Sequence, residues 1–203
     1  MSITIYHVSG TRSMRVIWLC HELDIPCKIE IIDFAKKFRA SPEWRAKSPT
    51  GKVPAMDDGA LTMFESGAMV QYLLDRYGNG LLQPESGTRS GALYLQWCWF
   101  AEATFARPLG DIAQHTLVRE EKDRIVAVVA DGQQRARVCL EAIEAAVLDS
   151  HYLLERFTGA DIMMGYSLML AEKFGLITED LPATKSYFAR LKDRRGYQYA
   201  VSV

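Results

Sequence analysis

Ser48-Pro49-Thr50-Gly51-Lys52-Val53-Pro54-Ala55-Met56, followed by Phe64-Glu65-Ser66-Gly67-Ala68-Met69, is the stretch whose reading decides the fold. Pro54 follows a β-branched residue and opens a short apolar run, which holds Val53 extended. A cis bond there would turn the Val53 N–H and C=O outward, where a peptide-like ligand could pair with them as an added strand does. Asp57-Asp58-Gly59 is a turn signal, and beyond it Leu61-Thr62-Met63-Phe64 reads as the second strand of a hairpin. An amphipathic helix is predicted from Gly67 to Tyr77, so it starts beside the Pro54 loop. Its free N–H groups, its positive dipole end and the Ser66 hydroxyl suit a carboxylate, while Glu65 suits an ammonium group. Together they can hold an α-amino acid head group. Either motif alone is also an ordinary strand start or an ordinary helix cap; their ordered spacing is what points to a site.

Toward the N-terminus, Ile3, Ile5 and His7 alternate with Thr4 and Tyr6, which is strand periodicity, and Val8-Ser9-Gly10-Thr11 ends it. Val16, Ile17, Leu19, Cys20 and Leu23 then fall on helical spacing. Cys27-Lys28-Ile29-Glu30-Ile31-Ile32 reads as a second strand after Asp24-Ile25-Pro26, giving a right-handed βαβ unit with parallel strands. Gly78-Asn79-Gly80 stops the helix of the central stretch, and the residues up to Gly87 read as a linker. Beyond it Ala92 to Phe105, Ile125 to Leu148, Ile162 to Phe174 and Tyr187 to Leu191 all read as helices. Pro108 should kink or end the first of these, and Gly132 should weaken the second without breaking it. Thr158-Gly159-Ala160-Asp161 has the spacing of a capping box, a device of local folding rather than catalysis.

The chain's 203 residues, 49% hydrophobic and 24% charged, allow one large domain or two small ones with buried cores. A net charge of -1 and a pI near 6.4 offer no field for nucleic acid or an anionic membrane, and neither is expected as a partner. No apolar run approaches a membrane span and no export signal opens the chain. Cys20, Cys27, Cys98 and Cys139 lie far apart without metal-ligand spacing, so they read as reduced thiols of a cytoplasmic protein with no metal.

Gly51-Lys52-Val53-Pro54-Ala55 followed by Glu65-Ser66 resembles the glutathione site of the cytosolic glutathione transferase superfamily, in a bacterial-type form with a serine/threonine-like active-site loop. The resemblance implies an α/β thioredoxin-like domain (β-α-β-α-β-β-α) over residues 1–78, a linker over 79–87, and an all-α domain over 88–203 that forms the electrophile side of the site. It implies that the backbone at Val53 and Pro54 pairs with the cysteinyl unit of glutathione, that Glu65 and Ser66 take its γ-glutamyl end, and that Lys52 contacts its backbone. Glutathione is then a co-substrate, a small electrophile is the second substrate, and the family's habit is a homodimer. The implied reaction is transfer of glutathione, as thiolate, to an electrophilic carbon. Glutathione-dependent lyase, etherase or dehalogenase chemistry lies close by, and a binding or interaction module with the same fold and little turnover is the alternative of another class.

Glutathione's thiol titrates near ~8.5, so the protein must favour the thiolate at neutral pH. A hydroxyl donor, a helix start and a cation do this, and Ser9-Gly10-Thr11-Arg12-Ser13 supplies all three. In the family the activating residue lies a few residues before the Arg-Val pair, here Arg15-Val16, which by count falls near Gly10. Thr11 is therefore the first choice, with Ser9 and Ser13 beside it, while plain helix capping is the commoner use of such hydroxyls. Tyr6 lies too few residues from Arg15 for the tyrosine-type role. The loop holds no cysteine, Cys20 lies about two turns inside the helix and reads as packed, and the Ser-Ser-Cys signature of maleylacetoacetate isomerases is missing. Trp97, Trp99, Phe100, Phe105, Arg107, Asp111 and His115 make an aromatic, partly polar stretch suited to an apolar acceptor, though aromatics at helical spacing are usually core.

Overall fold

The computed structural model describes residues 3–203. The first elements are β1 (Ile3–His7), α1 (Ser13–Glu22), β2 (Cys27–Ile31), α2 (Lys36–Arg39), α3 (Pro42–Lys47), β3 (Ala55–Asp58), β4 (Leu61–Phe64) and α4 (Ser66–Tyr77). Helices follow: α5 (Arg89–Trp99), α6 (Ala106–Ala113), α7 (Val126–Val147), α8 (Gly159–Lys173), α9 (Pro182–Lys192) and α10 (Arg195–Ser202). The β-α-β-α-β-β-α order expected of a thioredoxin-like half is present, with the charged stretch between the second and third strands folded into two short helices. The chain forms two compact units, one comprising the residues up to Gln83 together with Lys192–Val203, the other Pro84–Leu191.

In the first unit the sheet runs β2-β1-β3-β4. β1 pairs parallel with β2, Ile3 opposite Cys27 and His7 opposite Ile31, as a crossover through α1 requires. β3 is antiparallel to both β1 and β4. The period-two pattern of β1 puts Ile3, Ile5 and His7 in the interior. Every residue of α1 from Ser13 to Cys20 is buried, because the helix packs against β1, α4 and α10 at once. Side chains as large as Trp18, fully removed from water here, each contribute about 1.5–3 kcal/mol.

The last helix corrects the expected division at residue 88. α10 belongs by its contacts to the first unit, where Trp18 and Tyr197 meet edge to face at 5.1 Å and Arg194 forks onto Glu22, Nε to Oε1 at 2.8 Å and Nη2 to Oε2 at 2.5 Å. A Cβ at Gly196 would stand 2.5 Å from Trp18 Cδ1, so glycine is what lets the two helices close. The partners lie more than 170 residues apart in sequence, beyond the reach of any periodicity argument.

In the second unit α5 packs on α8 and α6 on α7. The first helix ends at Trp99 rather than at Pro108: Phe100–Phe105 winds as a π-helical segment, and Pro108 lies inside the α6 that continues from it. Gly132 leaves α7 intact. A Cβ there would meet Ile112 Cγ1 at 2.9 Å and the Pro108 carbonyl at 3.1 Å, so it serves the close approach of α6 and α7. The capping box forms: Thr158 Oγ1 accepts from the Ala160 N–H and the Thr158 N–H donates to Asp161 Oδ2 at 2.8 Å.

Candidate active site

The central stretch positions its residues largely by local chemistry. Buried Ser48 clamps the approach to the proline: its hydroxyl donates to the Lys52 carbonyl at 2.8 Å and accepts from the Lys52 N–H at 3.2 Å. The Val53-Pro54 bond is cis, and β3 begins at Ala55 immediately after it. Val53 and Ala55 pack against Trp44, while Lys52 is exposed.

At the other end of the hairpin Glu65 adopts φ 75° and ψ 104°, a conformation that costs a non-glycine residue about 1–3 kcal/mol. No side chain caps α4, so its first N–H groups are left to another partner. Ser66 opens that helix with only 3% of its surface exposed, and its Oγ accepts a hydrogen bond from Arg15 Nη1 at 3.2 Å. Arg15 is itself wholly buried. Lys52, Val53, Pro54, Glu65 and Ser66 line one cleft of the first unit, together with Thr50, Phe64 and, from the loop after β1, Arg12. The fold thus brings together a strand-edge backbone, an acidic side chain, an uncapped helix start and a guanidinium.

Residues 6–84 match the family described as glutathione S-transferase, N-terminal domain. Glutathione S-transferase 3 of Schizosaccharomyces pombe is 25% identical over 211 residues, covering 98% of this chain and 86% of that protein. The structure of glutathione transferase URE2P6 from Phanerochaete chrysosporium, in complex with oxidized glutathione, superposes with a TM-score of 0.90 at 23% identity, over 99% of this chain and 95% of that one. The theta class glutathione S-transferase of Xanthomonas axonopodis pv. citri, with glutathione bound, gives 0.83 at 28% identity over 100% and 98%.

Residues 6–84 thus belong to the N-terminal domain family of the glutathione S-transferases.

The loop after β1, Ser9–Ser13, holds the three candidate hydroxyls. Gly10, where the family count falls, has φ +72°, a conformation suited to glycine that a serine would rarely adopt. Ser9 is exposed, Thr11 is half-buried and Ser13 is fully buried. Thr11 Oγ1 donates to the Val8 carbonyl at 2.7 Å and lies 2.7 Å from Ser13 Oγ, which in turn lies 2.7 Å from His7 Nδ1. Neither hydroxyl caps α1. Ser13 faces inward and can act on a ligand only through Thr11.

Other sequence candidates fall into structural roles. The Tyr6 hydroxyl donates to Asp57 Oδ2 at 2.7 Å, and burial pushes its pKa up. Cys20 is buried, and a hydrogen bond with the Cys27 thiol, then burial, raise its pKa. His115 Nδ1 accepts the Ile125 N–H at 2.9 Å, closing a loop, and Asp111 pairs with Arg135 at 2.8 Å. Among the described residues no helix is long and apolar enough to cross a membrane.

The sequence reading used Arg12 only as the cation of the Ser9–Ser13 loop and Arg15 only as half of the Arg-Val pair, and named neither as a cleft residue. Arg15 carried a signal of another kind, a charge in the middle of an otherwise apolar helical run, which demands a buried partner.

Proposed function

We propose that this transferase holds glutathione in the Val53–Ser66 cleft and activates its sulfur as thiolate for attack on a small electrophile. Val53 pairs with the cysteinyl unit through its backbone, Lys52 lies along the glutathione backbone, Glu65 takes the α-ammonium group, and Ser66 with the uncapped start of α4 takes the γ-glutamyl carboxylate. Sulfur activation falls to the start of α1, where Arg12 supplies the cation and Thr11 the hydroxyl, once Thr11 exchanges the Val8 carbonyl for the sulfur. Ser9 is the other hydroxyl within the same turn. The observation that carries the reading is the convergence of Arg12, Val53, Glu65 and Ser66, from three separate chain segments, on one cleft.

Conjugation forms the carbon–sulfur bond while the electrophile's leaving group departs with its electron pair, or while an activated double bond takes up the proton. The four cysteines are free thiols, in keeping with a cytoplasmic setting, and a homodimer is the assembly we assign. Immobilised glutathione should retain the protein, free glutathione should elute it, and an aryl halide should be turned over with glutathione. A flat calorimetric titration at millimolar glutathione would sink the proposal. Glutathione binding without turnover of aryl halides, epoxides or activated alkenes would favour a binding module, the reading that the inward-turned Thr11 proton supports.

A further inference from the structure

A second cavity of the first unit, of about 230 Å³, opens between the end of β2 and the short helices α2 and α3, and shares no lining residue with the Val53–Ser66 cleft. Trp44 is its floor. At 2% exposure it is the one buried residue of the lining, and the Tyr6 and Phe38 rings stand against it with centroids 5.8 and 5.5 Å away. Ile31, 73% exposed, adds apolar surface at the mouth.

The Trp44 indole Nε1–H is buried and has no acceptor among the described residues. The side chains packed with the ring, Val8, Ile32, Phe38, Val53 and Ala55, offer none, and the Tyr6 hydroxyl is committed to Asp57 at 2.7 Å. A buried donor left unmet is costly, and native structures hold few of them. The cavity is where an acceptor can enter.

Charge around the cavity is net negative. Glu30, Asp33 and Glu43 line it, against the single ammonium group of Lys47. That group is held by Asp57 at 2.6 Å and lies 4.7 Å from the centre of the Tyr6 ring, so it does not compensate the three carboxylates. Glu30 meets only the exposed Lys28, at 3.0 Å, and Asp33 spends one oxygen on the Ala35 N–H at 2.8 Å. The Glu43 carboxylate has no partner among the described residues.

An acidic rim by itself is ordinary solvated surface. Here it surrounds aromatic walls and an unmet donor, and apolar walls with a few placed polar groups are the composition of a small-ligand pocket. Each part selects one feature of the same molecule. We propose that this cavity binds a small organic ammonium ion: its cation lies against Glu43, Asp33 and Glu30, its apolar body lies on the Tyr6 and Phe38 rings, and an oxygen of its own accepts from Trp44 Nε1. The aromatic faces favour a cation by the same attraction that places Lys47 over Tyr6.

The test uses tyramine, which carries an ammonium group and a phenolic oxygen at opposite ends of an aromatic body. Its control is para-hydroxyphenylacetate, which reverses the charge. In the full chain labelled with nitrogen-15, one of four indole N–H signals belongs to Trp44 and is identified by its loss in Trp44→Phe. If that variant does not fold, the signal is assigned through space from the Phe38 and Tyr6 rings. Millimolar tyramine should move the Trp44 signal to saturation, with a Kd that saturating glutathione leaves unchanged, and para-hydroxyphenylacetate should leave the signal in place. Glu43→Gln and Asp33→Asn should each weaken tyramine binding about two- to fivefold, the range for an exposed ion pair, and added salt should weaken it in the wild type. An unmoved Trp44 signal, equal binding of the anion, a wild-type Kd in both variants, or displacement of tyramine by glutathione overturns the proposal. None of these outcomes bears on the glutathione cleft, whose own titration is read separately.

Discussion

Replacing Ser66 by alanine should weaken glutathione binding and loosen the fold together, because one hydroxyl serves both. The residue is 3% exposed and its Oγ accepts from Nη1 of wholly buried Arg15 at 3.2 Å. On the ligand side, losing a hydrogen bond to a charged carboxylate costs about 1.5–3 kcal/mol, which at about 1.4 kcal/mol per decade raises Kd roughly 10- to 150-fold. On the protein side, a buried guanidinium loses this acceptor, at a cost of about 1–3 kcal/mol. For a chain of this size each kcal/mol lowers Tm by about 2–4 °C. The sequence alone predicts the first effect and only a smaller one on folding. Calorimetric titration with glutathione, alongside thermal denaturation of the ligand-free protein, reads the two separately. A lower Tm with an unchanged Kd would show that Ser66 supports Arg15 and has no part in binding, which refutes the carboxylate assignment.

Three further outcomes are expected. Arg12→Gln should raise the pKa of bound glutathione in an ultraviolet titration with little change in its affinity, and an unmoved titration would remove Arg12 from sulfur activation. Thr158→Ala should lower stability by about 1–2 kcal/mol through loss of the cap. Asp161→Ala should cost more, since it strips an acceptor from the Leu153 and Thr158 N–H groups and from the Tyr187 hydroxyl at 2.7 Å. Equal denaturation midpoints for wild type and both variants would refute the role of the box. Burial holds the His7 pKa below its ordinary 6.5, so the unfolded chain takes up this proton more readily than the folded one. The His7 contribution to stability is therefore complete above pH ~6.5 and is lost as pH falls from there toward the lowered folded value, and His7→Asn should flatten that part of the profile. Parallel profiles for the two proteins would show that His7 is not the group responsible.

Much of the candidate cleft was legible because its parts are local. A proline restricts its own φ and the residue before it, a hairpin signal fixes how far the next helix start lies, and a serine there carries its chemistry with it. Lys52, Val53, Pro54, Glu65 and Ser66 could thus be named as a group from spacing and resemblance, and the structure places them on one cleft. The alternation of β1 and the helical spacing of α1 were equally local, and so was the Thr158–Asp161 box. Their bonds close within three or four residues, or follow from a two- or 3.6-residue period.

What only the tertiary structure decided depends on partners far along the chain or on burial that packing sets. Arg15 meets Ser66 across 51 residues and His7 meets Val203 across 196, so no periodicity in either neighbourhood announces the partner. The sequence reading ends its helices at Leu191 and leaves the residues of α10 in an all-helical half, yet the Gly196 gap, the Tyr197 ring and the Arg194 fork seat that helix on α1 in the first unit. The three hydroxyls of the Ser9–Ser13 loop are nearly equivalent as letters. A left-handed Gly10, an exposed Ser9 and a buried Ser13 distinguish them, because a hydroxyl reaches a ligand only where packing leaves it open.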